Sequence, residues 1–145
     1  MNRYKRPLFW GAIVIVMALG LTWWTNQQTQ KRADVVRADL NRLCLAVQTD
    51  AVNATHRELI DSNISVAVLD AIKTRLDELT IQDPNPQWRF DIESIETSTE
   101  RETFGVDVSI DNQPVISLNV VRIDAAAQTV IIGYNAPATS ASEQP

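Results

Sequence analysis

The chain is poor in the residues on which most protein chemistry depends. Its 145 residues include one cysteine, Cys44, and one histidine, His56. A single cysteine excludes an intrachain disulfide and leaves only a bridge between two copies. One thiol and one imidazole cannot supply the four ligands of a structural zinc site. A nucleophilic serine or cysteine needs a base within reach, and His56, flanked by Thr55, Arg57 and Glu58, reads as a solvated helical residue. The four glycines, at 11, 20, 105 and 133, make no phosphate-binding loop. The acids of the C-terminal half (Asp91, Glu93, Asp107, Asp111) alternate with apolar residues, so they read as the solvated side of strands. They lack the loop spacing of a calcium site. No catalytic, cofactor-binding or metal-ligating set is expected, and the chain reads as non-enzymatic, with no cofactor.

Acids are missing from the N-terminal fifth. All 18 follow position 32, whereas Arg3, Lys5, Arg6, Lys31 and Arg32 precede the first acid, Asp34. The remainder is therefore clearly acidic, and the net charge is −5. Clustered Lys and Arg, the electrostatic footprint of nucleic-acid binding, do not occur there, so no nucleic-acid partner is expected.

What the sequence does have is a long apolar run. Residues 8–24, LFWGAIVIVMALGLTWW, carry no charge and as a helix would span about 25 Å, the short end for a bilayer core. Phe9 and Trp10 lie at one end and Trp23 and Trp24 at the other, the pattern of aromatic belts at two membrane interfaces. The rival reading is a cleaved signal peptide, with Ala18-Leu19-Gly20 as a loose small-x-small site. The apolar run continues past it to the tryptophan pair, which favours a retained anchor. The basic residues 1–7 abut this segment directly, and the positive-inside bias puts them in the cytoplasm. A single-pass protein of the inner (cytoplasmic) membrane follows, its C-terminal domain periplasmic or extracellular.

After a polar stretch at 25–30, residues 31–60 read as a juxtamembrane helix. Val36, Leu40, Leu43 and Val47 recur at spacings of four and three, with Ala54 a further seven on. Such a stripe packs either on the chain's own domain or on a second copy as a self-association seam. Asp61-Ser62-Asn63 interrupts it. A second helix runs from about Ser65 to Leu79, with Val68, Leu69, Ile72, Leu76 and Leu79 on its apolar face, and Asp83-Pro84-Asn85-Pro86 stops it.

From Trp88 the hydrophobic period changes from 3.6 to 2. Trp88, Phe90 and Ile92 alternate with charged residues, and Phe104, Val106, Val108 and Ile110 do the same. Turns are expected within 97–102 and at Asp111–Pro114. A third strand over Val115–Ile123 needs a bulge near Val120 or Val121 to reconcile its two apolar faces. A fourth covers Thr129–Tyr134, and residues 136–145 read as a disordered tail. The expected fold is α+β: an N-terminal transmembrane helix, then two helices packed on a four-stranded antiparallel meander, with helix plus sheet over 61–135. Ile116, Leu118, Val120 and Ile131 are expected to leave an apolar strip on the open side of the sheet.

Two functions fit this outline. The first is an anchored extracytoplasmic interaction or assembly subunit of an envelope complex, whose partners are membrane lipid through the N-terminal helix and other envelope proteins or a second copy. The alternative is an anchored small-molecule or lipid-binding module, with Trp88, Phe90, Phe104 and Tyr134 lining a pocket between sheet and helices.

Overall fold

In a computed structural model, residues 5–79, 81 and 83–136 are described; the expected tail and the extreme N-terminus lie outside them. The fold is α+β, with a long apolar N-terminal helix, further short helices and an open four-stranded antiparallel sheet in the order β1-β2-β3-β4.

α1 is one uninterrupted helix, Lys5–Gln48, so the polar stretch at 25–30 does not interrupt it. Polar residues do not break a helix unless they compete with its backbone. Gln is a good helix former, and the Thr22 and Thr25 hydroxyls donate inward to the carbonyls of Ala18 and Leu21 at 2.9 and 2.8 Å. The other end, at Gln48, falls well short of position 60. Asp50 adopts a left-handed φ of 53°, and Asp50 and Ala51 donate their N–H groups to the carbonyls of Val47 and Ala46 at 3.2 and 2.8 Å. That pair of bonds is a Schellman stop. Ala54 accordingly sits exposed in a separate short helix, α2 (Ala54–Arg57), and not on the stripe. Asn53 caps α2: its side chain accepts from the His56 N–H while its own N–H donates to His56 Nδ1, both at 3.2 Å. The lone histidine thus serves as a cap.

α3 (Ser65–Glu78) buries Val68 and Ile72 and turns Asp70, Lys73, Asp77 and Glu78 to solvent. The strands are β1 (Trp88–Thr97), β2 (Arg101–Ile110), β3 (Gln113–Ile123) and β4 (Gln128–Asn135). Asp111 and Asn112 have φ of 47° and 64°, the two left-handed residues of a type I′ hairpin, which matches the twist of the flanking strands. Three register shifts each leave one residue extra: Ile95 in β1, Val115 in β3 and Ile132 in β4. The bulge beside Val120 thus exists, but its extra residue is Ile132 on the neighbouring strand.

The core lies between one sheet face and the helices. Phe104, Val106 and Val108 pair directly with Val120, Leu118 and Ile116, so all six share a face, and each is at most 2% exposed. This overturns the expected apolar strip on the open side: Ile116, Leu118, Val120 and Ile131 all point into the core, because the extra residue Val115 resets the parity of β3. On the helical side, Val36, Leu40, Leu43 and Val47 are buried in the same core. Of the two readings of that stripe, the structure has the helix packing on its own domain.

Candidate functional site

The functional geometry begins with α1. Over residues 9–24 its apolar side chains are exposed nearly all round, Trp10 at 66% and Trp24 at 58%, and its most apolar 18-residue window has nothing buried inside the molecule. One helix here is thus long and apolar enough to cross a membrane. Phe9, Trp10 and Trp23 stand free of the folded domain, and Trp24 lies at its edge.

Where α1 reaches the domain, a buried ionic clasp holds it. Arg32 is 6% exposed and Glu102 fully buried. The guanidinium faces Glu102 Oε2 at 3.4 Å and grips Asp124 three times: Nε donates to Oδ1 and Oδ2 at 3.2 and 3.1 Å, and Nη2 donates to Oδ2 at 2.6 Å. It also donates to the carbonyls of Ser98 and Thr99 at 3.3 and 3.1 Å. The Arg32 fork therefore ties α1 to both turns at one end of the sheet, β1–β2 and β3–β4. Glu102 Oε1 accepts from the hydroxyls of Thr29, Ser94 and Thr97 at 2.9, 2.7 and 2.9 Å. Among the described residues no buried side-chain polar atom lacks a partner, which is the condition for a polar cluster to be tolerable in a core. The hydrogen bonds from Arg32 hold the Asp124 carboxyl below its usual range, and Asp124 in turn raises the pKa of Arg32.

Two turns further along, Asp39 makes a second tie. Its Oδ2 accepts from Thr129 Oγ1 at 2.6 Å, and Thr129 Oγ1 accepts from Arg122 Nη1 at 3.0 Å. At the far end the Trp88 indole N–H donates to Gln48 Oε1 at 2.9 Å. Helix and sheet are thus fastened at 32, 39 and 48.

None of the clasp residues belonged to the expected sites, yet their positions carried a signal. Arg32 lies one turn before Val36 on the buried stripe, and Asp39 follows Val36 by three. Glu102 and Thr129 precede the inward-facing Phe104 and Ile131 by two, which gives them the same strand parity.

The four aromatics expected to line a pocket do not come together as one. Trp88 and Phe90 stack at 6.5 Å between ring centroids, Phe104 is wholly buried in the core, and Tyr134 sits 37% exposed on the edge strand β4. Cys44 is also wholly buried, and burial pushes its thiol up to about 12.

Among the described residues no helix packs on the other face of the sheet. Its rows follow from the register: Asp91, Asp107 and Ser117 lie side by side, as do Glu93, Gly105, Asn119 and Gly133. Asp91 and Asp107 are like charges directly opposite each other, an arrangement that costs stability. Arg89 donates to Asp91 at 3.3 Å and Ser117 to Asp107 at 2.7 Å, while Glu93 has no ion pair among the described residues. An open hollow of about 470 Å³ lies here, bordered by Asp91, Glu93, Ile95, Gly105 and Asp107 and, from α1, by Arg37. Ile95, the bulge residue at its rim, lies over Gly105, where an added Cβ would meet its side chain at 3.3 Å, and is 61% exposed. Among the described residues no three of His, Cys, Asp and Glu are grouped to hold a metal ion.

Comparison with protein-family models, with curated proteins and with solved structures returned no match to this chain.

Proposed function

We propose that the chain is a non-enzymatic, single-pass subunit of a cell-envelope complex, anchored by residues 8–24 with its N-terminus in the cytoplasm, and that it offers the bare face of its sheet to another envelope protein. The observation that carries this reading is the outer face itself. Asp91 opposite Asp107, and Glu93 beside them, outnumber the two arginines the chain itself brings there, Arg37 and Arg89. With an exposed isoleucine at the rim, this is a surface that gains by being covered with further positive charge. A partner that supplies Lys or Arg side chains into the hollow relieves the repulsion and buries Ile95.

The anchor is supported by the exposure of its apolar side chains on all sides, which no soluble helix sustains. Retention over cleavage is supported by the continuity of α1: the small-x-small site at Ala18–Gly20 lies within helix, on a rod whose other end is part of the core.

The test is a photoreactive residue at Glu93 in native membranes, crosslinked and followed by mass spectrometry. We expect one discrete partner, lost in the double variant Asp91→Lys, Asp107→Lys. Asp91→Lys alone turns the like-charge pair with Asp107 into an opposite-charge one but gives up the exposed contact with Arg89, so the stability of the domain should change by less than about 0.5 kcal/mol. A chain that crosslinks to nothing, or identically with and without the charge reversal, overturns the proposal.

A further inference from the structure

A second surface lies at the opposite pole of the domain from α2, where α1 enters the sheet. A cleft of about 200 Å³ separates α1 from the β3–β4 turn and is bordered by Trp24, Gln27, Gln28, Lys31, Arg32 and Asp124. Positions 24, 27, 28 and 31 share one helix face, and each carries a hydrogen-bond donor: an indole N–H, two amides and an ammonium. The only acid in the lining is Asp124, and both its oxygens already accept from Arg32. Lys31 has no ion pair among the described residues. It is the one cation of the cleft whose charge is not already matched by an acid.

Depth gives this cleft its ligand. With Trp24 at the membrane interface, the helical rise sets Gln27, Gln28 and Lys31 about 4.5, 6 and 10.5 Å above it. The headgroup layer is roughly 5–8 Å thick on each side of the hydrocarbon core, and a lysine stem long enough to reach down places its ammonium in that layer. The opposite wall is Asp124 of the turn Asp124–Ala127, whose other three residues are alanines, so no further acid faces the lipid from that turn. Because Arg32 binds the turn to α1, the two walls are held at a fixed separation without a ligand.

We propose that this cleft receives the phosphate of a membrane phospholipid, with Lys31 as the charge partner and Trp24, Gln27 and Gln28 as further donors. The site rests on the membrane reading of residues 8–24 and is separate from the acidic sheet face.

The test uses the full chain, extracted in mild detergent and examined by native mass spectrometry. Wild type, Lys31→Gln and, as a control at the far pole, Arg57→Gln are compared, after reconstitution in nanodiscs of phosphatidylglycerol with phosphatidylethanolamine. We expect one phospholipid retained per chain in wild type and Arg57→Gln, and a loss of at least fivefold in Lys31→Gln. Equal retention in all three overturns the proposal. Binding of inorganic phosphate at millimolar concentration with no lipid retained overturns the lipid assignment. Alkaline carbonate extraction of the same membranes separates the two failures: a chain released from the membrane refutes the anchor, whereas one that stays behind and retains no lipid refutes the cleft alone.

Discussion

The clasp makes a sharp energetic prediction. Arg32→Met keeps the volume of the side chain and removes its charge. Glu102, with no exposed surface, then keeps three hydroxyl donors on Oε1 and loses the cation that faces Oε2. Stranding a buried charge in this way costs about 3–5 kcal/mol, more than the intact pair contributes relative to an apolar replacement. A domain of this size has only about 5–15 kcal/mol to lose. Glu102→Gln preserves an oxygen for Thr29, Ser94 and Thr97 but turns an amide toward Arg32, which still has Asp124; its cost is about 1–3 kcal/mol. The double variant leaves no unpaired buried charge, so it is expected to cost less than the two singles together by about 2 kcal/mol. Urea unfolding of the full chain in detergent, followed by far-ultraviolet circular dichroism, measures all four species. Should Arg32→Met fail to fold, Glu102→Gln and Asp124→Asn each test the same tie. A loss below about 1 kcal/mol in Arg32→Met, or additivity within about 0.5 kcal/mol, would show that the pair is not coupled as the geometry requires.

Three further outcomes follow from single groups. Asp124 is depressed by Arg32, so its contribution is present above its unfolded pKa of about 3.9 and is lost as pH falls through the lower folded value; the stability difference between wild type and Asp124→Asn should be flat from pH 5 to 8 and shrink below about pH 4, whereas a difference that already falls between pH 7 and 5 contradicts the assignment. Cys44, held at about 12, is expected to be thiolate in roughly one part in ten thousand at pH 8; maleimide should label it only under unfolding conditions, and rapid labelling of the native protein would mean that α1 lifts off the sheet. Asp50 holds a left-handed backbone that glycine adopts more readily, so Asp50→Gly should stabilise the domain by about 0.5–1 kcal/mol in the same urea assay, and destabilisation would show that its 3.9 Å approach to Lys73 outweighs the backbone term.

The sheet was legible in the sequence because a strand exposed on one side writes its burial into every second residue. Phe90, Phe104, Val106 and Val108 took the inward positions their parity assigned. What parity alone could not supply was register. The extra residue Val115 moves Ile116, Leu118 and Val120 to the inner face, and an apolar residue at a bulge looks like any other in a β-branched run. Composition does not dictate the conformation of the long helix, and its end lies short of position 60 for that reason. The segment TNQQTQ is polar and still helical, while the true end lies at an aspartate in a left-handed turn, a feature of backbone geometry. The clasp stayed hidden because charged residues are normally assigned to the surface. Arg32 and Glu102 sit where the apolar pattern runs out but the buried face continues, and only the pairing of two distant segments satisfies both.

The continuity of α1 has a consequence for where a partner must stand. The stretch from Arg32 to Gln48 rises about 24 Å, and β1 from Thr97 back to Trp88 covers about 30 Å. Arg32 holds the turn after Thr97, and Gln48 holds Trp88, so the strands run alongside the helix. If that helix crosses the bilayer, the strands stand near the membrane normal and the acidic face looks sideways, toward a neighbour rooted in the same membrane. A flexible tether would erase this constraint, because a short flexible linker lets the domain sample many orientations. Inserting Gly-Gly-Ser-Gly between Asn26 and Gln27 leaves Thr29, Arg32 and the whole core untouched, so stability in urea should change by less than about 0.5 kcal/mol. Crosslinking from Glu93 to its partner should nevertheless fall severalfold. An insertion that leaves crosslinking intact would mean that the face finds its partner without help from the rod, and the rigid coupling through Arg32 would then serve the stability of the domain alone.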